Sequence, residues 1–163
     1  MKLEYKHIAP YLPYDLKFTV TGSRIDTLIG LSVNHVQFKL EDGSYHELLD
    51  VINRVKKRPI LRPLDDLSKE IENKGELFVP IDKLIEFIVP IRFKEDYTKS
   101  NYKTCCDSVR SDLKSFVYAE NKEYGILSLT ENLFIMGKLY EWHFDVEGLI
   151  KQGLAIDINT LNK

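Results

Sequence analysis

The residues best able to do chemistry in this chain are its 4 histidines, its 2 cysteines and a few close carboxylates. His46-Glu47-Leu48-Leu49-Asp50 has the opening of a helical zinc site, in which two His at i, i+4 on one helix face hold the metal and the Glu acts as base. Asp50 stands where the second His is needed, and no third ligand follows. Glu47 is also explained as the cap of a Ser44-x-x-Glu47 box, so no metal is expected. Cys105 and Cys106 are adjacent, a spacing that rarely allows a bridge, and no His or Cys cluster accompanies them. They read as small apolar side chains in a reducing compartment. Glu141 and Asp145 share a helical face at i, i+4. Acid–base work by such a pair needs a pocket, whereas Lys138 beside them points to a solvated polar stripe. His143 lies in an apolar sweep, where a buried, hydrogen-bonded histidine is the simpler reading than a general base. The 8 glycines are scattered. They form neither a phosphate loop nor a dinucleotide fingerprint, and no Gly-x-Ser-x-Gly elbow is present. Neither catalysis nor a bound cofactor is expected.

Two basic stretches offer a different chemistry. One holds Arg54, Lys56, Lys57, Arg58 and Arg62. The other holds Arg92, Lys94, Lys99 and Lys103, interleaved with Phe93, Tyr97 and Tyr102. Cations alternating with aromatics suit the backbone and bases of single strands. Against this, Glu95 and Asp96 interrupt the second stretch, the net charge is −2, and no named binding motif occurs. Nucleic acid is therefore the alternative to an unidentified protein partner or self-association.

Several elements must position these residues. Residues 3–9 predict a short helix stopped by Pro10 and Pro13. Leu16, Phe18 and Val20 alternate with polar residues. So do Ile25, Thr27, Ile29 and Leu31, and then Val36, Phe38 and Leu40. With Gly22-Ser23 and Asn34-His35 as turns, this pattern predicts an antiparallel meander over about 15–41. A helix is expected from Ser44 to Val55. Another should start at Leu64 and close at Gly75, and a third should run from Pro80 to Pro90. Tyr102, Cys106 and Val109 predict a helix through about Ser111. Residues 113–128 fit either a hairpin or a continuation of that helix. The densest apolar periodicity predicts a long buried C-terminal helix over about 130–151. Its core is Leu133, Met136, Leu139, Tyr140, Trp142, His143, Phe144 and Ile150, and its polar stripe is Glu131, Lys138, Glu141 and Asp145. Gly148 is expected to bend this helix and Gly153 to end it. Leu154, Ile156 and Ile158 then alternate with Ala155, Asp157 and Asn159, predicting an extended tail with one buried face.

The 163 residues, 44% of them hydrophobic and 29% charged, fit one soluble globular domain spanning 1–163 of class α+β, with helices packed on the meander. No apolar run reaches the ~20 residues of a membrane span, and the first residues lack an apolar signal core. A cytoplasmic location is expected.

Two segments carry a family resemblance: Arg58 to Val79, RPILRPLDDLSKEIENKGELFV, and Glu141 to Asn159, EWHFDVEGLIKQGLAIDIN. They resemble a widespread family of uncharacterised proteins from phages and prophages of gut bacteria. The resemblance covers about a quarter of the chain and carries over no catalytic residue. It implies a context: a phage-derived protein acting in an infected or lysogenic bacterial cell. With no catalytic constellation in the sequence, the expected role is a non-enzymatic accessory or structural protein acting by protein–protein contact, in the host cytoplasm or in the virion.

Overall fold

A computed structural model describes residues 3–19, 25–32, 37–40, 45–47, 58–94, 101–118 and 127–161. Over these residues the chain is α+β. Where the sequence predicts one domain, the chain divides into two compact units, residues 1–63 with 138–163, and residues 64–137. No linker composition marks the division because one boundary follows Pro63 and the other falls inside a helix, at Gly137.

The first unit begins with α1 (Tyr5–Ile8). The backbone N–H of Glu4 donates to Nδ1 of His7 at its start. Pro10 does not stop the chain's helical course. It sits in the first turn of a 3-10 segment, Ala9–Tyr14, where its missing N–H is not needed. Asp15, left-handed at φ 59, ends that segment. The predicted meander follows as β1 (Lys17–Thr19), β2 (Ile25–Ser32) and β3 (Gln37–Leu40), with a fourth strand β4 (Tyr45–Glu47). All neighbours are antiparallel, in register from Lys17↔Thr27 to Thr19↔Ile25 and from Gln37↔Glu47 to Lys39↔Tyr45. The helix expected from Ser44 is therefore absent at 45–47: pairing with β3 overrides the capping signal. The predicted turns at 22–23 and 34–35, and residues 48–57, lie outside the described residues.

Beyond β1, an antiparallel bridge pairs Phe18 with Pro59. The Thr19 N–H donates to the Arg58 carbonyl at 3.0 Å. Pro59 leads into β5 (Ile60–Leu61), which pairs in parallel with β8 (Ile156–Asp157). Arg62 makes a further parallel bridge to Phe144. The core of this unit is Leu3, Ile8, Tyr11, Leu16, Phe18, Leu28, Leu61, Leu149 and Ala155. The two segments that carry the family resemblance thus meet in space at 58–62, 143–145 and 156–157.

The second unit opens with a 3-10 turn, Leu64–Ser68, rather than a helix to Gly75. A hairpin of β6 (Ile71–Asn73) and β7 (Glu76–Phe78) follows. Lys74 and Gly75 both have positive φ, 51 and 81, as a two-residue hairpin loop requires. The helix α2 (Pro80–Phe93) starts on Pro80 and passes through Pro90 to end three residues later. Where 113–128 fits either a hairpin or a helix, α3 (Tyr102–Tyr118) continues as helix through 113–118, and 119–126 lie outside the described residues. Ile81, Leu84, Ile85 and Ile88 of α2 and Val109 and Leu113 of α3 are buried, and the two helices pack on one another.

The last helix, α4 (Leu129–Glu141), is ten residues shorter at its C-terminal end than the predicted 130–151. A Schellman closure stops it: Phe144 N–H donates to the Leu139 carbonyl at 2.8 Å and His143 N–H to that of Tyr140 at 3.0 Å. His143 occupies the left-handed C′ position at φ 59. Gly148 (φ 67) lies in a turn, not a helix interior, and Gly153 (φ 71) closes a single turn over 149–152 by the same pattern. Of the predicted core, Leu139, Trp142 and Phe144 are buried, while Met136, Tyr140, His143 and Ile150 are half-buried. Leu133 corrects the prediction: it is 66% exposed. The tail is extended only over Ile156–Asp157, and its buried residue is Ala155, with Leu154, Ile156 and Ile158 half-buried. Asp157 Oδ1 then accepts the Asn159 N–H and turns the chain into a 3-10 segment, which ends the predicted alternation.

Candidate functional site

The orientation of α4 is set by its first turn. Ser128 N–H donates to Glu131 Oε2 at 2.7 Å and Glu131 N–H to Ser128 Oγ at 3.2 Å, a reciprocal capping box. The other oxygen of Glu131 accepts from Arg92 Nε at 2.7 Å, and Arg92 Nη1 donates to Asp112 Oδ2 at 2.5 Å. One guanidinium therefore ties α2, α3 and α4. Burial alone would raise the Glu131 carboxyl. The bonds from Arg92 and Ser128 outweigh it and hold that carboxyl below its ordinary value. Burial likewise opposes the charge on Arg92, and its two carboxylate partners outweigh that and strengthen it. Nη2 of Arg92 is buried without a hydrogen-bond partner.

Glu131 thus faces inward, against the solvated stripe expected from the sequence. At about 100° per residue, the opposite side of α4 carries Leu129, Leu133 and Gly137 at i, i+4, i+8. Leu129 is 74% and Leu133 66% exposed, and a Cβ added at Gly137 would meet nothing within 4 Å. On the flank of α4, the Phe134 ring packs on Phe87 of α2, with centroids 5.1 Å apart. Phe87 and Ile91, one turn apart on α2, are 44% and 47% exposed. Leu129 and Leu133 thus leave an apolar row uncovered on α4, and Phe87 and Ile91 leave apolar surface uncovered on α2, the helix that meets α4 at Phe134. The sequence reading missed the α4 row because an α4 apolar around most of its girth looks wholly buried. The inward partner of Glu131 lies 39 residues away at Arg92, and no local pattern announces it.

Of the described candidate nucleic-acid contacts, Arg58 and Arg62 belong to the first unit and Arg92, Lys94, Tyr102 and Lys103 to the second. Arg92 is committed to two carboxylates, which corrects its reading as a cation open to phosphate. Arg58 is half-buried, taking the Thr19 Oγ1 through its N–H and the Gly153 carbonyl through Nη1 at 3.4 Å. Arg62 sits on the backbone bridge to Phe144. Lys94 is exposed at the end of α2, and Tyr102 and Lys103 are exposed at the start of α3. Arg54, Lys56, Lys57, Tyr97 and Lys99 lie outside the described residues.

In the first unit the polar side chains that could do chemistry are bound to backbone. Tyr11 donates to the Phe144 carbonyl at 2.6 Å, and burial pushes its phenol up. His143 Nε2 lies 2.5 Å from the Tyr14 carbonyl, which can only accept, so that nitrogen carries a proton. Asp145 does not join Glu141 on a helix face. It is buried, and its two oxygens accept the Leu149 and Ile150 N–H groups at 2.7 and 2.8 Å. Desolvation raises its carboxyl, with those bonds opposing. Lys138 and Glu141 keep their predicted pairing at 2.7 Å. These are clamps, each side chain fastening a turn, rather than a nucleophile with its base. A shallow groove on the same unit is lined by Ile25, Ile60, Ile158 and Leu161 with Lys17 and Thr27.

Among the described residues no three His, Cys, Asp or Glu side chains gather as metal ligands, and no helix is long and apolar enough to cross a membrane. Cys105 is buried, Cys106 is half-buried, and both are free thiols. His46 and Glu47 stand on β4, so the helical spacing of a zinc site is not present there. Comparison with protein-family models, with curated proteins and with solved structures found no match.

Proposed function

We propose that this chain is a phage-derived accessory or structural protein that works by protein–protein contact, within the bacterial host cytoplasm or in the virion. The observation that carries the contact reading is the apolar surface left uncovered by Leu129 and Leu133 on α4 and by Phe87 and Ile91 on α2. Large exposed apolar patches on otherwise ordinary proteins mark interaction surfaces. The fixed inward pose of Glu131 holds the α4 row in place, so presenting it needs no rearrangement. The phage context rests on the resemblance of segments 58–79 and 141–159.

A photo-crosslinking residue at position 133, in cells that make the full chain, tests this. A discrete adduct at 133, lacking when the same residue is placed at Lys151 on the other unit, is the expected result. No adduct at 133, or the same adduct at both positions, overturns the contact reading. Nucleic acid remains the second candidate partner through Arg58, Arg62, Lys94, Tyr102 and Lys103. The sequestering of Arg92 weakens it.

A further inference from the structure

We infer that the partner of this apolar surface is a second copy of this chain, joined in a two-fold dimer through α4. This names the partner within the contact reading above and rests on it. The first argument is size. An aromatic side chain presents roughly 150–250 Å², and a leucine or isoleucine sits at the low end of that range. At their observed exposures Leu129, Leu133, Phe87 and Ile91 therefore leave on the order of 400 Å² of apolar surface uncovered. A stable interface buries about 800 Å² per partner, a little over half of it apolar. Summed over α4 and α2, these four residues amount to most of that apolar share.

The second argument is self-complementarity. In a two-fold pairing residue i meets j while j meets i. Take two antiparallel copies of α4 with the axis passing beside Leu133. Position 133 then meets itself, and position 129 meets position 137 of the other copy. The large Leu129 is thereby seated over Gly137, where the helix surface is open, and this happens twice. The i, i+4, i+8 row is the ridge that the commonest helix-packing class interdigitates, and glycine lets the two backbones approach closely. No charged side chain lies within the row, so self-pairing brings no like charges together at its centre. Phe87, which meets α4 at Phe134, offers further apolar surface on α2 to the same interface.

Sedimentation velocity and light scattering on the purified full chain test the dimer. Over a dilution series reaching about 100 µM, the mass should rise from 19.0 kDa to twice that value. Leu133→Glu should weaken the dimer by at least about tenfold. Gly137→Leu should weaken it similarly by filling the hole, while the melting temperature of the monomer holds or rises. That pairing of effects separates a lost interface from a damaged fold, and it decides the matter if Leu133→Glu unfolds. Leu77→Glu, at another exposed apolar position on β7, should leave the dimer unchanged. A wild-type chain that stays monomeric throughout overturns the inference, as does a dimer indifferent to Gly137→Leu. If the chain is monomeric and the crosslink at 133 captures a different protein, the contact function stands and the dimer falls. No crosslink and no dimer removes both.

Discussion

His143 joins two unusual features at one residue: a left-handed backbone that ends α4, and a side chain that holds the Tyr14 carbonyl from 129 residues away. Burial lowers its imidazole below the ordinary 6.5, the Tyr14 bond opposes this, and the nearby Arg62 charge lowers it further. The sign follows from linkage. A group whose pKa is depressed on folding binds its proton more readily in the unfolded chain. The contribution of His143 is thus complete above about pH 6.5 and is lost as pH falls through its lower folded value. Chemical denaturation followed by the fluorescence of Trp142 should show stability declining from pH 7 toward pH 5. His143→Gln, which can still donate to Tyr14 but does not titrate, should flatten that decline. An unchanged slope in the variant would remove His143 as its cause. Asp145 acts in the opposite sense: its raised carboxyl favours the fold most at low pH, and that share is lost as pH rises through its folded value.

At the scale of elements, the sequence was legible where one local rule decided the matter and misleading where a distant partner did. The meander followed from period-two alternation. Pro80 marked the start of α2. The hairpin at 71–78 is not legible although Gly75 marks a chain reversal, because Leu64, Leu67 and Ile71 match helical spacing equally well. The end of α4 was missed because a histidine, not a glycine, takes the left-handed position. The rotation of α4 was missed because it depends on Arg92, and this gives a direct test. Removing a partner from a buried ion pair leaves an uncompensated charge and costs about 3–5 kcal/mol. Arg92→Met should approach that loss, since Glu131 keeps only 5% of its side-chain surface exposed. Adding Glu131→Gln should restore part of it, because the stranded charge is then gone. Melting followed by far-ultraviolet circular dichroism measures both. An Arg92→Met chain as stable as wild type would show that the three helices do not depend on this guanidinium.

At the scale of the whole molecule, chain order and spatial order diverge. The first unit is closed by residues from both ends of the sequence: its short β5 pairs with 156–157, and Arg62 just after it bridges to 143–145. Each contact is slight. Together they bury Leu149 and Ala155 against Leu16, Phe18 and Leu61 and satisfy backbone groups that would otherwise be stranded. Truncation after Gly153 removes β8, the Ile156 N–H bond to the Pro59 carbonyl at 2.8 Å and the buried Ala155. Hydrogen bonds contribute about 1 kcal/mol each, and the half-buried Leu154, Ile156 and Ile158 add part of their transfer energy. The loss should therefore be about 3 kcal/mol, a large share of a typical total. Trp142 lies in this unit and is 4% exposed, so its fluorescence reports the unit directly. The truncated chain should lose its Trp142 transition at lower denaturant, by the same amount at every protein concentration, because the tail docks on its own chain. A shift confined to high concentrations would mean instead that the tail docks between copies, and an unshifted transition would mean that β8 contributes nothing to the fold.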